Sequence, residues 1–288
     1  MIAGNVVPVL VKAVAMILEL RKNCFDRDIP MTTATSTHKP FTRWQAAGLH
    51  LLISAAIAAV VIILMLSVWY PRPLFEAEGG PGLVFILVGV DVVIGPLITL
   101  VIFKAGKWGL KFDLWTIAML QLAALAYGIS IVADVRPAYI VFVQGQFETV
   151  GAMELAERDL AEASRPEFRK VPIAGPVVVA LRPPADPQER SDLVFQALGG
   201  GKDLRHYPKY YVPYSEYVGE VLARSQTPAQ LRKRDPPAAK VVDAWLAEAK
   251  VPESTVLYLP LKASRGWVAA LIDAKTGEPV KMLMAPLE

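Results

Sequence analysis

This chain contains three histidines and a single cysteine, which limits the chemistry it can carry. His38, His50 and His206 are far apart and Cys24 stands alone, so no metal-ligand spacing exists. A Ser-His-Asp or Cys-His site would have to be built around His206, and nothing nearby singles out a nucleophile with an orienting acid. "ALGGGKD" at 197–203 lacks the G-x-x-x-x-G-K-[ST] spacing and ends in a carboxylate that would repel phosphate. It reads as a flexible turn after a helix. These residues predict no enzyme, no catalytic residue, no cofactor and no metal.

Two other groups stand out. "GVDVVIGPLITL", 89–100, sets Asp91 and Pro96 inside a strongly apolar run. A charged carboxylate at a bilayer centre costs at least ~2.5–3.5 kcal/mol, so Asp91 should face other helices or a cavity. Pro96 has no N–H for the carbonyl of Val92, which predicts a kink beside Asp91. Gly89 and Gly95 would let a neighbouring helix approach there. Counting about 1.5 Å per residue puts Asp91 near the midplane, level with Tyr127, with Gln121 roughly 9 Å closer to the cytoplasm. His50 falls at the wrong depth to pair with it directly. Asp91, Pro96, Gln121 and Tyr127 therefore form a candidate intramembrane cluster: a recognition point for another membrane helix, a proton site, or a packing staple in which Tyr127 or Gln121 satisfies Asp91. The second group is "HYPKYYVPYSEY", 206–217, which holds five of the nine tyrosines. Tyrosine gives contact area at low entropic cost, so Tyr207, Tyr210, Tyr211, Tyr214 and Tyr217 are a candidate contact surface. The competing reading has Tyr207 and Tyr211 packed beneath the loop.

Elements that position these groups follow from hydropathy. Hydrophobic residues make up 54% of the chain and mean hydropathy is +0.39, which favours a membrane class. A net charge of +3 gives no nucleic-acid footprint. Within 45–134, three apolar runs at about 46–68, 83–103 and 114–133 are long enough to span a bilayer. Lys39 and Arg43 precede the first, and Lys104, Lys107 and Lys111 separate the second from the third. The positive-inside rule then makes 31–44 a short cytoplasmic lead and sets residues 135–288 on the periplasmic side of a bacterial inner membrane. The apolar stretch within residues 1–30 is too short to span and carries Pro8, Lys12 and Glu19. Two readings compete, an interfacial helix and an upstream extension outside the core fold with translation starting at Met31. The second is favoured, because 31–44 already suffices as an N-terminus.

The remaining residues predict an α+β domain. Strands are expected at 138–143 and 176–181, and helices at 151–164, 189–198, 216–225 and 238–250. The end reads as three strands, with "AKTG" at 274–277 turning a hairpin. On the helix at 238–250, Val241, Val242, Trp245, Leu246 and Ala249 share one face. The acidic residues Glu154, Glu157, Asp159 and Glu162 read as a solvated face. "LRKRDPP" at 231–237 puts cations at a helix C-terminus, where they favour the dipole.

Several long stretches resemble the type IV pilin accessory proteins of the TfpX/TfpZ type. They are "RWQAAGLHLLISAAIA", "LSVWYPRPLFEAEGG", "GVDVVIGPLITLVIFKAGKWGLKFDL", "QLAALAYGI" and "RPAYIVFVQGQFE". The resemblance runs from about Trp44 to the C-terminus and includes "YYVPY" and "YLPL", while residues 1–30 have no counterpart. It implies a three-helix membrane bundle followed by a periplasmic α+β domain, and no active site. It also implies an accessory role in pilin stability, pilus assembly or surface piliation, with type IV pilin, the inner-membrane assembly machinery and the lipid bilayer as partners. An exclusion factor for conjugation or phage acting through pili, and a membrane enzyme on a lipid-linked substrate, are the alternatives.

Overall fold

The computed structural model describes residues 41–285. The extension expected at 1–30, together with 31–40 of the expected lead, lies outside the described residues. Thr42 opens the first helix with a capping box: its hydroxyl accepts from the Gln45 N–H, and the Gln45 side chain accepts from the Thr42 N–H. The helix that follows, α1 (Arg43–Leu64), closes with a π-helical turn, Met65–Trp69. A short helix, α2 (Leu74–Ala77), connects it to α3, which spans Gly80–Ile102. α3 starts at Gly80 rather than Leu83 because Pro81 sits in its first turn, where a missing N–H costs nothing. The third long helix is α4 (Leu110–Val135). These three helices are long and apolar enough to cross a membrane. Leu52, Ile63, Phe85, Leu97 and Trp115 point outward from them, as a lipid-facing surface requires.

Arg136 leaves the last helix directly into a seven-stranded mixed sheet. Its strands are β1 (Pro137–Val143), β2 (Gln146–Gly151), β3 (Val177–Leu181), β4 (Tyr211–Pro213), β5 (Val256–Lys262), β6 (Trp267–Asp273) and β7 (Pro279–Ala285). Their spatial order is β4-β3-β1-β2-β5-β6-β7. The β1–β3 and β2–β5 pairs are parallel and the others antiparallel. As expected, the chain ends in an antiparallel meander. Asp273 builds its last turn by accepting from the Lys275 and Thr276 N–H groups, and Gly277 supplies a φ of +71°.

The helix expected at 151–164 is a correction. Gly151 ends β2, Ala152–Glu154 form a 3-10 turn, and only α5 (Glu157–Ala161) is α-helical. Gly151 pairs with Pro137 at the end of β2, and Pro166 opens a further 3-10 turn, so the helical spacing holds over little more than one turn. The acidic face is also not wholly solvated, because Asp159 is buried against Lys202. The later helices are α6 (Pro187–Leu198), α7 (Val218–Arg224), α8 (Pro228–Arg234) and α9 (Pro236–Ala249). On α9 the buried face is Ala238, Ala239, Val242 and Leu246, while Ala249 is exposed. The proline pair of "LRKRDPP" ends α8 and starts α9, and Arg232 is held by Asp243 and Glu253.

Both faces of the sheet are covered, so its strands alternate between two cores. Ile140 and Phe142 join Val268, Ala270 and Ile272 on one side; Tyr139 and Val141 join Phe168 and Leu160 on the other. The first core also contains Leu74 and Ala77 from the connector between two membrane helices. Leu74 is fully buried, and the Ala77 carbonyl accepts from the Arg265 N–H at 2.9 Å. Leu74→Ala should therefore destabilise the α+β domain by about 2–5 kcal/mol although it lies outside that domain's sequence. Denaturant unfolding of the detergent-solubilised chain, followed by tryptophan emission, measures this.

Candidate functional site

A cavity of about 240 Å³ opens between the three long helices, with His50, Ser54, Asp91 and Gln121 among its polar lining. Leu87 and Ala58 supply apolar wall. It owes its shape to the sequence around Pro96. Instead of a simple kink, α3 widens into a π-helical turn over Gly89–Ile94, directly before Gly95 and Pro96. In that register the Asp91 carbonyl would accept from the nitrogen of residue 96, which as proline carries no proton. The orphaned carbonyl is thus that of Asp91 rather than Val92. Gln121 Nε2 donates to it at 3.2 Å from α4.

Gly95 makes that reach available. A Cβ at position 95 would lie 2.0 Å from Gln121 Nε2, so only glycine leaves the amide its place. Gly89 has open space around it and serves no close approach. Gln121 satisfies the backbone and not the side chain: Asp91 Oδ1 is buried with no hydrogen-bond partner among the described residues. A buried acceptor in that condition costs about 1–3 kcal/mol relative to a satisfied one. Nearby, His50 Nδ1 is hydrogen-bonded to the buried Thr99 hydroxyl at 2.6 Å.

The structure therefore brings Asp91, Pro96 and Gln121 together and leaves Tyr127 out. Tyr127 is 55% exposed on the outer surface of α4. Tyr127 is left out by the face of α4 it occupies, and Gln121 reaches α3 with its long side chain across the interface. The second span begins at Gly80 rather than Leu83. His50, set aside on depth, makes no direct pair with Asp91 but shares the same cavity. Ser54 was missed altogether; its position one helical turn after His50 was the available signal.

The tyrosine segment divides. Tyr211 and Tyr214 are buried and belong to the two cores of the sheet, which corrects their reading as surface contacts. Tyr211 donates to the Arg205 carbonyl and Tyr214 to the Gly277 carbonyl. Burial raises both phenols above their ordinary range, and both stay neutral donors. Tyr207, Tyr210 and Tyr217 remain half-exposed. Tyr210 donates to Glu189 at 2.5 Å, with the Lys209 ammonium 4.6 Å from its ring centre. His206 is engaged on both sides: Nδ1 accepts from the Asp203 N–H at 3.1 Å and Nε2 faces Glu154 at 3.6 Å. That is a structural role at the buried Glu148–Arg205 pair beside it. Among the described residues no group of three metal-ligating side chains converges.

The family described as fimbrial assembly protein FimB matches residues 39–79. A fimbrial assembly protein of Dichelobacter nodosus, serogroup I, is 29% identical over 231 residues, 78% of this chain and 89% of that protein. The one from serogroups C1 and C2 is 36% identical over 99 residues, 33% of this chain and 75% of that protein. The chain belongs to the fimbrial assembly protein family. No solved structure matches it. Within the fimbrial assembly protein, the segment matched by the family covers α1 and the connector that enters the α+β core.

The cavity geometry makes a specific demand on this fimbrial assembly protein. Gly95→Ala and Gln121→Leu should each lose the bond to the Asp91 carbonyl and lower stability by about 1 kcal/mol. Because both remove one interaction, the double variant should cost less than the sum. A thermal-unfolding double-mutant cycle in detergent checks it, and full additivity would show that the two residues act independently.

Proposed function

We propose that this fimbrial assembly protein is an accessory factor for type IV pili, seated in the bacterial inner membrane, that binds pilin and modulates its stability or its assembly into pili. The names of its relatives support an assembly role. Its orientation follows from charge: Arg43 at the start of α1 and Lys104, Lys107 and Lys111 between α3 and α4 lie on the cytoplasmic side. The α+β domain then faces the periplasm.

The observation that carries the binding reading is Asp91 Oδ1, buried without a partner on a cavity between membrane helices. An unsatisfied acceptor in hydrocarbon is a recognition point for a membrane segment that brings a donor, because the alternative is to leave both groups unpaired. A pilin helix in the same membrane is the segment proposed. A second, weaker contact would involve the half-exposed Tyr207, Tyr210 and Tyr217 on the α+β domain. Nothing in this arrangement calls for catalysis.

Asp91→Leu should reduce co-purification of pilin with the tagged chain at least several-fold while leaving the amount of chain in the membrane unchanged. A photoreactive residue at position 91 should crosslink to pilin, identified by mass. Unchanged capture by Asp91→Leu, with no crosslink, would remove the intramembrane contact and confine any binding to the α+β domain.

A further inference from the structure

Where the α+β domain meets the membrane helices, one loop is tied to the end of α1 by its backbone and leaves an apolar side chain exposed among the described residues. The Trp69 indole N–H donates to the Ile173 carbonyl at 3.2 Å. Arg136, the first residue after α4, donates to the Pro172 carbonyl at 2.9 Å and lies 5.8 Å from the Trp69 ring centre. Gly175 is pressed so closely on α1 that a Cβ there would come within 2.9 Å of the Val68 carbonyl, and its φ is +71°. Val68 and Trp69 are in the last turn of a membrane span. The loop 170–176 is thus held at the level where hydrocarbon gives way to headgroups.

Ile173 is 79% exposed at that level. Lys170 and Arg169, just before it, are exposed and pair with no carboxylate among the described residues, although Arg169 Nε donates to the Ala163 carbonyl at 3.3 Å. Glu167 is the exposed acidic neighbour on the same stretch. An aliphatic tip flanked by cations, fixed beside an interfacial tryptophan, has the chemistry of a membrane-interface contact: the tip enters the acyl boundary and the cations meet lipid phosphates. We propose that the loop 170–176 inserts Ile173 into the bilayer leaflet on the domain's side, giving the α+β domain a lipid contact in addition to its three helices. The occupant is lipid because the loop continues the lipid-facing surface of α1. This holds whether or not the chain binds pilin.

Nitroxide accessibility in lipid nanodiscs tests it on the full chain. Cys24→Ser removes the native thiol, and Ile173→Cys or Phe195→Cys then carries the label. Ile173 gives the protein's hydrogen bonds only its carbonyl, so the label leaves the Trp69 bond in place. Phe195 is the control, since α6 lines a groove with Val143 and Gln144 at the end of β1 away from Arg136, about 20 Å along the strand. Collisions with lipid-soluble oxygen should be several-fold more frequent at 173 than at 195, and collisions with a water-soluble nickel chelate several-fold rarer. Equal nickel accessibility at the two positions would overturn the proposal.

Discussion

The connector between the first two membrane helices is built into the core of the α+β domain, and most of the architecture depends on that one packing contact. Leu74 and Ala77 have no accessible surface to speak of, and they share their core with Ile140, Phe142 and Val268. A membrane bundle joined to a folded domain only through one chain end would be free to swivel. Here the chain enters the domain at the connector, returns to the membrane through α3, and enters again after α4. Tyr70 adds a buried hydroxyl bonded to the Val132 carbonyl at the top of α4, so the ends of α1 and α4 are tied to each other as well. The position of the domain over the bundle is therefore a property of the core, and separating the two would expose apolar surface worth several side chains.

Within the bundle the governing constraint is different: no water is present to satisfy a freed backbone group. Pro96 removes a donor, the π turn moves the deficit to the Asp91 carbonyl, and Gln121 repairs it across the helix interface. The repair consumes the one amide within reach, and the Asp91 carboxyl is left without a partner in the same cavity. A helix built only for stability would have neither the proline nor the acid. Keeping both, with a compensating glutamine and a glycine to admit it, is the pattern of a site that holds strain for a purpose.

Much of this was legible in the residues. Long apolar runs marked the three helices, alternation and turn residues marked β1, β3 and the closing meander, and Asp91 beside Pro96 marked the candidate site. What was not legible depended on contacts between distant segments. Residues 151–164 look helical by spacing, yet Gly151 is drawn into β2 by its pairing with Pro137 and only Glu157–Ala161 form an α-helix. Tyr211 and Tyr214 look like surface residues in a broken segment and are core because β4 carries one into the sheet and a following turn carries the other beneath the Gly277 hairpin. Tyr127 and Gln121 were both legible as candidate partners of Asp91; that Gln121 takes its backbone carbonyl and leaves its carboxyl unpaired required the π register. The connector's burial left no signal beyond two small apolar residues in a loop.

These constraints bear on how the chain would act on a membrane-anchored pilin under the proposed function. Two weak contacts on one scaffold reinforce each other only when their separation is fixed, because the second then forms at an effective concentration set by geometry rather than by diffusion. The buried connector supplies that fixed separation between the Asp91 cavity and the half-exposed tyrosines. A flexible linker in its place would spread the two sites over many relative positions and dilute the gain. Under the proposed function, the rigid joint would let two weak contacts discriminate, since only a partner whose helix and head match the spacing would engage both at once.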